Sequence, residues 1–514
     1  MPKKTAAIYN RWLFTLGGGE QVTFAYAEAL RDLGYATTIL THKKVDLEKA
    51  ITKMNINLDK ISVQYLPLVE PSKLSQFSEK YDVFINTSYL DYFPNRCKKG
   101  ILSVFFPGEI YLTPFEYLKR RFILPSLQNF FIYPTQFEGF VSDSYHKNRM
   151  HKWLGRESSI YFNQNNSKKV ELALHAPTFA FSTIESLKFF INHKAVKPQS
   201  KKLTHTENVV RFNFVSQTAI KKITIQKPAA LKQSDISLVT LEIPSVRYLF
   251  YNWFKTFFPK WEMRLHGGPG ITPLSDLSSY KKIVTISKFC QTWIQRYWGL
   301  PSTIVYPPVN ISAFAPAQKK KNYIVHIGRF FVTGHSKKQL DLIKVFNQLV
   351  AEHNVHDWEL HLVGTVHEGE KHKKYYEACL AEARGSQVHF HIGVPFSQLK
   401  KILSEAKLYW HATGLDQDQH KEPVLMEHFG ITTVEAMAAG CVPLVINAGG
   451  QPEIVKPGTG FVWNTREQLI QYTMIMIKNP HLLKKYGLAA RNRSHNFSRE
   501  NFKKRFASML KSLD

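Results

Sequence analysis

Cysteine is scarce in this chain of 514 residues: Cys97, Cys290, Cys379 and Cys441 are scattered, with no short-spaced pair. That excludes a cysteine-clamped zinc module and a disulfide framework, and it predicts a reducing compartment. No apolar run reaches the roughly 18 residues that a membrane-spanning helix needs. The opening Met1-Pro2-Lys3-Lys4-Thr5-Ala6-Ala7-Ile8-Tyr9 enters a strand-like run without the roughly 7–15 apolar residues of a secretion signal. The expectation is a cytoplasmic protein, at most peripheral on the inner face of a membrane. Among the 21 histidines there is no His-Glu-x-x-His or similar ligand spacing, so no metal is predicted.

Acidic residues are few, 40 against 68 Lys and Arg, which leaves a net charge of +28. A field of that size exceeds what one small anionic ligand requires and points to a larger acidic partner. The basic residues are dispersed, without zinc-finger spacing or an RNA-recognition signature, so nucleic acid is not predicted. An anionic membrane surface fits better. In Arg247-Tyr248-Leu249-Phe250-Tyr251-Asn252-Trp253-Phe254-Lys255-Thr256-Phe257-Phe258-Pro259-Lys260-Trp261, aromatics interleave with cations. That pattern suits either an interfacial membrane element or an aromatic helix closing a domain core.

At this length two or more domains are expected. Ala6 to Tyr9 reads as a strand, Gly17-Gly18-Gly19-Glu20 opens an amphipathic helix through Leu33, and Ala36 to Thr41 reads as the next strand. Asp82 to Asn86 and Ile101 to Phe106 extend a parallel sheet. Between about 160 and 245 the texture changes to period-2 runs, Val170 to His175, Val209 to Val215, Ile223 to Ile225 and Ile236 to Ile243. Polar turns such as Lys197-Pro198-Gln199-Ser200-Lys201-Lys202 separate them, which predicts a small antiparallel β unit, sandwich-like. It is either a carbohydrate- or partner-binding module or a spacer. The α/β texture resumes at Ile283 to Phe289 and Thr303 to Val309, where Pro307-Pro308 stiffens a connection between two lobes. Tyr323 to Arg329 starts the second lobe.

The chemistry concentrates in that second lobe. Glu427-His428-Phe429-Gly430-Ile431-Thr432-Thr433-Val434-Glu435 sets two carboxylates eight positions apart around a glycine and runs into the small-residue helix Ala436-Met437-Ala438-Ala439-Gly440. A Gly-centred turn opening a helix leaves amide donors and the positive dipole end free for a phosphate, with Gly430, Thr432 and Thr433 as its frame. Glu435, a turn inside, can accept from a ribose diol, and Glu427 faces the other end of the same ligand. Hydroxyls at both ends with phosphate between them describe a nucleotide sugar. Arg329 closes a strand and Lys337 follows at the head of the helix Gln339 to Val345, so the two cations can converge on a diphosphate; Lys338 leaves the choice between neighbours open. Asp416-Gln417-Asp418 imitates a metal-binding Asp-x-Asp but sits in a polar loop, where the phosphate charge is already met. His411 reads as a structural histidine and His428 as support for the carboxylate block.

The block Glu-x7-Glu, followed by Ala-Met-Ala-Ala-Gly and Gly449-Gly450-Gln451-Pro452-Glu453-Ile454-Val455, resembles the donor-site signature of family 4 of the retaining glycosyltransferases, as a bacterial-type group 1 glycosyltransferase with an inserted β module. Ser287-Lys288-Phe289 and Pro307-Pro308-Val309 match the family's lobe boundary. The resemblance is strong from about residue 280 onward and weaker over the first ~130 residues. It implies an α/β, GT-B fold, two Rossmann-like lobes facing a cleft, with an antiparallel β insertion in the N-terminal lobe. The boundaries are then 1–150 for the first part of the N-terminal, acceptor-side lobe, 151–245 for the inserted module and 246–310 for the lobe's continuation. Residues 311–495 form the donor lobe, and a helix over 496–514 crosses back.

The resemblance further implies a nucleotide-sugar site made of Gly18, Gly19, Arg329, Lys337, Val394, Glu427, Phe429, Gly430, Ile431, Thr432 and Glu435, with Arg329, Lys337 and Glu427 as the catalytic set and no cofactor or metal. The implied reaction is transfer of a sugar from a nucleoside diphosphate to a glycan or lipid-linked acceptor hydroxyl, with retention, in cell-surface polysaccharide or glycolipid synthesis. A cytosolic sugar or storage-glucan synthase of the same fold and a non-catalytic carbohydrate-binding protein are the alternatives. One departure stands out: where many members carry a histidine after a first-lobe strand, this chain has Ser103-Val104-Phe105-Phe106-Pro107-Gly108-Glu109. The acceptor side is therefore not transferable by resemblance.

Overall fold

Short runs, most of them apolar and buried and joined through helices, build two parallel sheets in the computed structural model. It describes residues 4–513 apart from 67–70, 109–114, 116–117, 147–148, 164, 177–183, 185, 205–207, 229–235 and 266–273. The chain begins with β1 (Thr5–Tyr9), β2 (Ala36–Thr41), β3 (Ile61–Tyr65), β4 (Val83–Asn86) and β5 (Lys99–Val104). It then leaves this sheet for an antiparallel unit, β6 (Pro134–His146), β7 (Arg149–Phe162), β8 (Lys169–His175), β9 (Lys188–Ile191), β10 (Lys194–Val196), β11 (Ser200–Thr204), β12 (Val209–Val215), β13 (Lys222–Gln226) and β14 (Ser237–Glu242). It returns with β15 (Lys282–Thr285), which pairs with β5, and β16 (Thr303–Ile304). A second parallel sheet follows, β17 (Lys321–Ile327), β18 (Glu359–Gly364), β19 (Val388–Ile392), β20 (Ala406–His411), β21 (Val442–Ile446) and β22 (Phe461–Trp463).

The first sheet runs β16-β15-β5-β4-β1-β2-β3 and the second β19-β18-β17-β20-β21-β22. Each is doubly wound, with its strand order reversing beside its own first strand: between β1 and β4, and between β17 and β20. Ligands of such sheets bind outside the carboxyl ends of the strands at that reversal. The helix Arg499–Lys511 crosses back to the first lobe, as expected, and sets Phe502 and Phe506 each 5.0 Å from the Tyr26 ring of the helix Gly18–Asp32. Lys503 adds a 2.7 Å ion pair to Asp32.

The antiparallel unit differs from the expectation in extent and build. The two compact units of the chain are 1–66 with 75–111 and 271–514, and 67–74 with 112–270, so the insertion exceeds 151–245 on both sides. Residues 246–265 do not continue the N-terminal lobe. The helix Val246–Phe257 sends Tyr248, Tyr251 and Phe254 into the core of the antiparallel unit, at i, i+3 and i+6, beside Phe131, Leu172 and Phe212. The strands form one nine-stranded sheet, not a two-sheet sandwich, and helices supply the apolar layer that a second sheet would have given. Period-2 patterning reports one buried face and is silent on what covers it. Ser200 to Lys202, expected in a turn, belong to the edge strand β11, whose exposed lysines suit an unpaired edge.

Candidate active site

β17 ends at Ile327, and Gly328 and Arg329 leave the sheet beside Gly364, the last residue of β18. A Cβ on Gly364 would lie 2.1 Å from the Gly328 carbonyl oxygen, so that crossing demands glycine. Gln339, fully buried, donates from Nε2 to the Gly328 and Arg329 carbonyls at 3.1 Å each and fixes the loop against the helix Gln339–His353. The Lys337 side chain lies over Gly328, where a Cβ would come within 2.6 Å of its Cγ. Its ammonium reaches Glu427 Oε2 at 2.5 Å. Lys338 has φ +59° at the N-cap of the helix, and of the two neighbours Lys337 is the one whose ammonium meets Glu427 among the described residues. Arg329 is exposed, its guanidinium 5.3 Å above the Phe331 ring.

Around Glu427 the site is built from histidines. His411, the last residue of β20, approaches Glu427 Oε2 with Nε2 at 3.5 Å, and its buried Nδ1 has no hydrogen-bond partner among the described residues. It is therefore in the carboxylate's shell and not merely a core residue. Burial raises the Glu427 carboxyl, but Lys337, the His411 hydrogen bond and His411 charge outweigh it and hold the group well below the usual carboxylate range. Burial pushes His411 down, partly opposed by Glu427. His428 stacks on Phe106 at 4.2 Å between ring centroids, 11° from parallel, and burial lowers it to about 3. Phe106 thus covers the ring next to the carboxylate.

The phosphate turn takes its shape from Gly430, whose φ of +118° suits only glycine, and a Cβ there would meet Gln451 Nε2 at 2.2 Å. Gln451 is fully buried, donating to the Phe429 carbonyl at 3.1 Å and accepting from Thr433 Oγ1 at 2.9 Å. Thr432 Oγ1 pairs with Tyr409 OH at 2.8 Å. Both hydroxyls thus hold the frame of the turn. The amides of Ile431 and Thr432 make no backbone bond among the described residues, and they are the free donors at the start of the helix Ile431–Ala438. The Phe429 side chain is buried against Tyr306 and Phe497, so it packs and does not line the site. Glu435 is partly buried, and burial alone, with no cation to offset it, pushes its carboxyl up to about 8.

Gly18 and Gly19 come to the same place from the first lobe. A Cβ on Gly18 would touch Ile431 Cδ1 at 3.0 Å, and one on Gly19 would meet the Phe105 ring at 3.3 Å. Val394 follows β19 on the strand-end side and packs partly buried with Val325, Val363 and Phe396. Asp416 is engaged by Arg466 at 2.5 Å, with Asp341 on the same guanidinium at 2.7 Å, and Asp418 Oδ1 accepts from the His420 amide at 2.8 Å.

The first lobe's own strand-order reversal carries a cluster that sequence reading missed. Asp91 Oδ2 accepts from Tyr9 OH and Arg11 Nε, both at 2.6 Å, and Tyr9 OH contacts His42 Nε2 at 2.9 Å. All four are buried, and among the described residues Arg11 Nη2 and Asp91 Oδ1 have no hydrogen-bond partner. The signal was present as polar residues directly after β1, β2 and β4, the positions where an open sheet binds ligands.

Residues 310–493 match the family model described as glycosyl transferases group 1. Curated relatives include the GDP-Man:Man(3)GlcNAc(2)-PP-Dol alpha-1,2-mannosyltransferases of Dictyostelium discoideum, 27% identical over 46% of this chain and 48% of that protein, and of Homo sapiens, 30% identical over 42% and 44%. The mouse protein of that name is 33% identical over 33% of this chain and 35% of its own length. The chain thus spans about half the length of the curated relatives it matches, or less. Among solved structures, a glycosyltransferase from Rickettsia africae is similar with a TM-score of 0.51 at 13% identity, covering 100% of this chain and 99% of that one. HepE of Anabaena in complex with UDP is similar with a TM-score of 0.52 at 12% identity, covering 99% and 100%. The fold is GT-B, and within it residues 310–493 are similar to the group 1 glycosyl transferases.

Proposed function

We propose that the chain is a family 4-type retaining glycosyltransferase that moves a sugar from a nucleoside diphosphate to a hydroxyl of a lipid-linked glycan. One observation carries this reading: at the carboxyl ends of β17 and β20 Lys337 pairs with Glu427, Arg329 follows β17, and the amides of Ile431 and Thr432 at the next helix start make no backbone bond among the described residues. A diphosphate there meets two cations and a helix start, which stabilise the charge that develops as the leaving group departs. No metal is required for that neutralisation. Glu435 then takes the ribose hydroxyls and Glu427 the sugar hydroxyls. Retention follows from attack on the face that the diphosphate leaves, the departing phosphate oxygen taking the acceptor proton.

The names of the relatives favour GDP-mannose as donor and a diphosphate-linked isoprenoid glycan as acceptor. An acceptor anchored in lipid also suits a chain of net charge +28. None of its described helices is long and apolar enough to cross a membrane. The antiparallel unit offers an alternative hold: Leu249, Phe250, Trp253 and Phe257 form one exposed stripe of the helix Val246–Phe257, opposite its buried face. We assign this stripe to an anionic bilayer surface.

The test is thermal denaturation of the full chain with GDP, UDP or ADP, followed by transfer from GDP-mannose to a lipid-diphosphate-linked oligosaccharide. A ligand that binds only the native state raises the transition temperature by mass action. The expected result is stabilisation by one nucleoside diphosphate and product with the donor's anomeric configuration. No stabilisation by any of them sinks the donor-site reading, and an inverted product sinks the retaining mechanism.

A further inference from the structure

At the opposite end of β18 from Gly364, four side chains of two neighbouring strands face one another. Glu359 and His361 are two apart on β18, and His389 and His391 two apart on β19. The strands pair in parallel with His361 opposite His389 and Val363 opposite His391, so alternation puts all four on one face of the sheet. Glu359 Oε2 lies 3.1 Å from His361 Nε2 and 3.1 Å from His389 Nε2. Among the described residues, these three ligand atoms, all within 4.8 Å of one another, are where metal-binding groups come together.

We propose that Glu359, His361 and His389 form a binding site for a borderline divalent cation of the Zn²⁺ class, separate from the donor site. With bonds of about 2.0–2.1 Å, tetrahedral zinc separates its ligand atoms by about 3.4 Å; each imidazole nitrogen already lies 3.1 Å from the carboxylate oxygen, and all three atoms lie within 4.8 Å of one another. Two imidazoles and one carboxylate suit zinc better than magnesium or calcium, which take oxygen ligands. The outer contacts are also those of a ligating histidine. His361 Nδ1 is 2.9 Å from His391 Nε2, placed to donate its N–H there when His361 Nε2 coordinates the ion. The Tyr323 ring, 4.0 Å away between centroids, walls the inner side, while the His389 side chain is 44% exposed and gives the ion its path.

β19 is the edge strand and pairs with β18 alone. A cation held by Glu359 and His361 on one strand and His389 on the other clips that edge in place. The site is structural, and water completes its coordination.

Metal-stripped full-length protein, titrated with zinc sulfate and followed by calorimetry and thermal denaturation, tests this. Wild type is expected to take up one tightly bound Zn²⁺ per chain and to melt at higher temperature with it. Co²⁺ should give the visible absorption of a low-coordinate site. His389→Ala, at an exposed position, and Glu359→Gln should each abolish the tight event while melting like wild type without metal. His391→Ala should weaken it by roughly 10–100-fold, as loss of an outer partner does. Glu359→Gln serves should the histidine variant fail to fold. Absence of a stoichiometric event in wild type overturns the proposal, and so does undiminished binding in both ligand variants, which would place the ion among the other histidines.

Discussion

The ammonium of Lys337 lies 2.5 Å from Oε2 of Glu427, joining a cation assigned to the diphosphate to a carboxylate assigned to the sugar. Without ligand each neutralises the other inside a partly buried site, and an incoming diphosphate must share or displace that pairing. The two ends of the donor are therefore energetically coupled before the donor arrives.

That coupling sharpens what Glu427→Ala should do. It frees Lys337 for phosphate, so affinity for the free nucleoside diphosphate should hold or rise, while sugar transfer falls. Glu435→Ala should weaken the nucleotide itself, because the ribose contacts go. Calorimetry with the nucleotide alone separates them, and equal losses in both variants would show that the ribose and sugar ends are wrongly assigned.

Arg329 is exposed, its guanidinium over the Phe331 ring, so its removal should leave the fold intact. If it stabilises charge on the leaving diphosphate, Arg329→Ala lowers turnover by about two orders of magnitude, on the order of 3 kcal/mol of transition-state stabilisation. Unchanged transfer in that variant removes it from the mechanism. Chelator should leave the initial rate alone while lowering the melting temperature, because the proposed zinc clip lies at the other end of β18.

Glu435 gives a pH signature. Burial raises its carboxyl from the ordinary 4.5 to about 8, so the folded protein favours the neutral form. Its contribution to stability is fully present below 4.5 and is lost as pH climbs through 8. Ribose hydroxyls donating to the carboxylate favour the charged form instead. Nucleotide binding near pH 7 should therefore release about one proton, and affinity should rise with pH toward 8. Calorimetry in two buffers of different ionisation enthalpy measures the release, which Glu435→Gln should abolish. Binding without proton release in wild type puts Glu435 away from the ribose.

Much of this was legible beforehand where one residue type had one physical use. Gly430 was readable as the turn that opens a helix, where the structure gives it a φ of +118°, and the 3.6-residue period placed Glu435 about one turn on. What was missed depends on contacts distant in sequence. Nothing around Gln339 or Gln451 announces a residue that pins a loop, and His411 is told from a core histidine only once Glu427 is seen beside it. The extent of the antiparallel unit was hidden for a related reason: the helix Val246–Phe257 has the same pattern whichever core receives its buried face.

Gly430→Ala tests the phosphate turn directly. The substitution combines a left-handed backbone with a Cβ 2.2 Å from Gln451 Nε2, so Gln451 must give up its place under the turn. Backbone strain of this kind costs on the order of 1–3 kcal/mol. The melting temperature should drop, and nucleotide affinity should fall more than the stability loss alone explains, because the Ile431 and Thr432 amides are re-aimed. Normal affinity in a folded variant would mean that the diphosphate is bound elsewhere.

The helix Val246–Phe257 offers the last test. Trp253 is 55% and Phe257 63% exposed, their rings 5.3 Å apart, while Tyr248, Tyr251 and Phe254 hold the opposite face in the core. A Trp253→Ser, Phe257→Ser double variant should therefore keep its circular dichroism and melting temperature. If the stripe meets an anionic bilayer, wild type should co-sediment with anionic vesicles and the variant should not. Each Lys or Arg near such a surface adds about 1 kcal/mol, screened over a Debye length of roughly 8 Å in physiological salt. Binding should then weaken steeply with salt, and neutral vesicles should retain little protein. Wild type that ignores anionic vesicles at low salt would end this reading and send the +28 charge to another partner. A double variant that binds as well as wild type would leave the charge in place and remove the stripe.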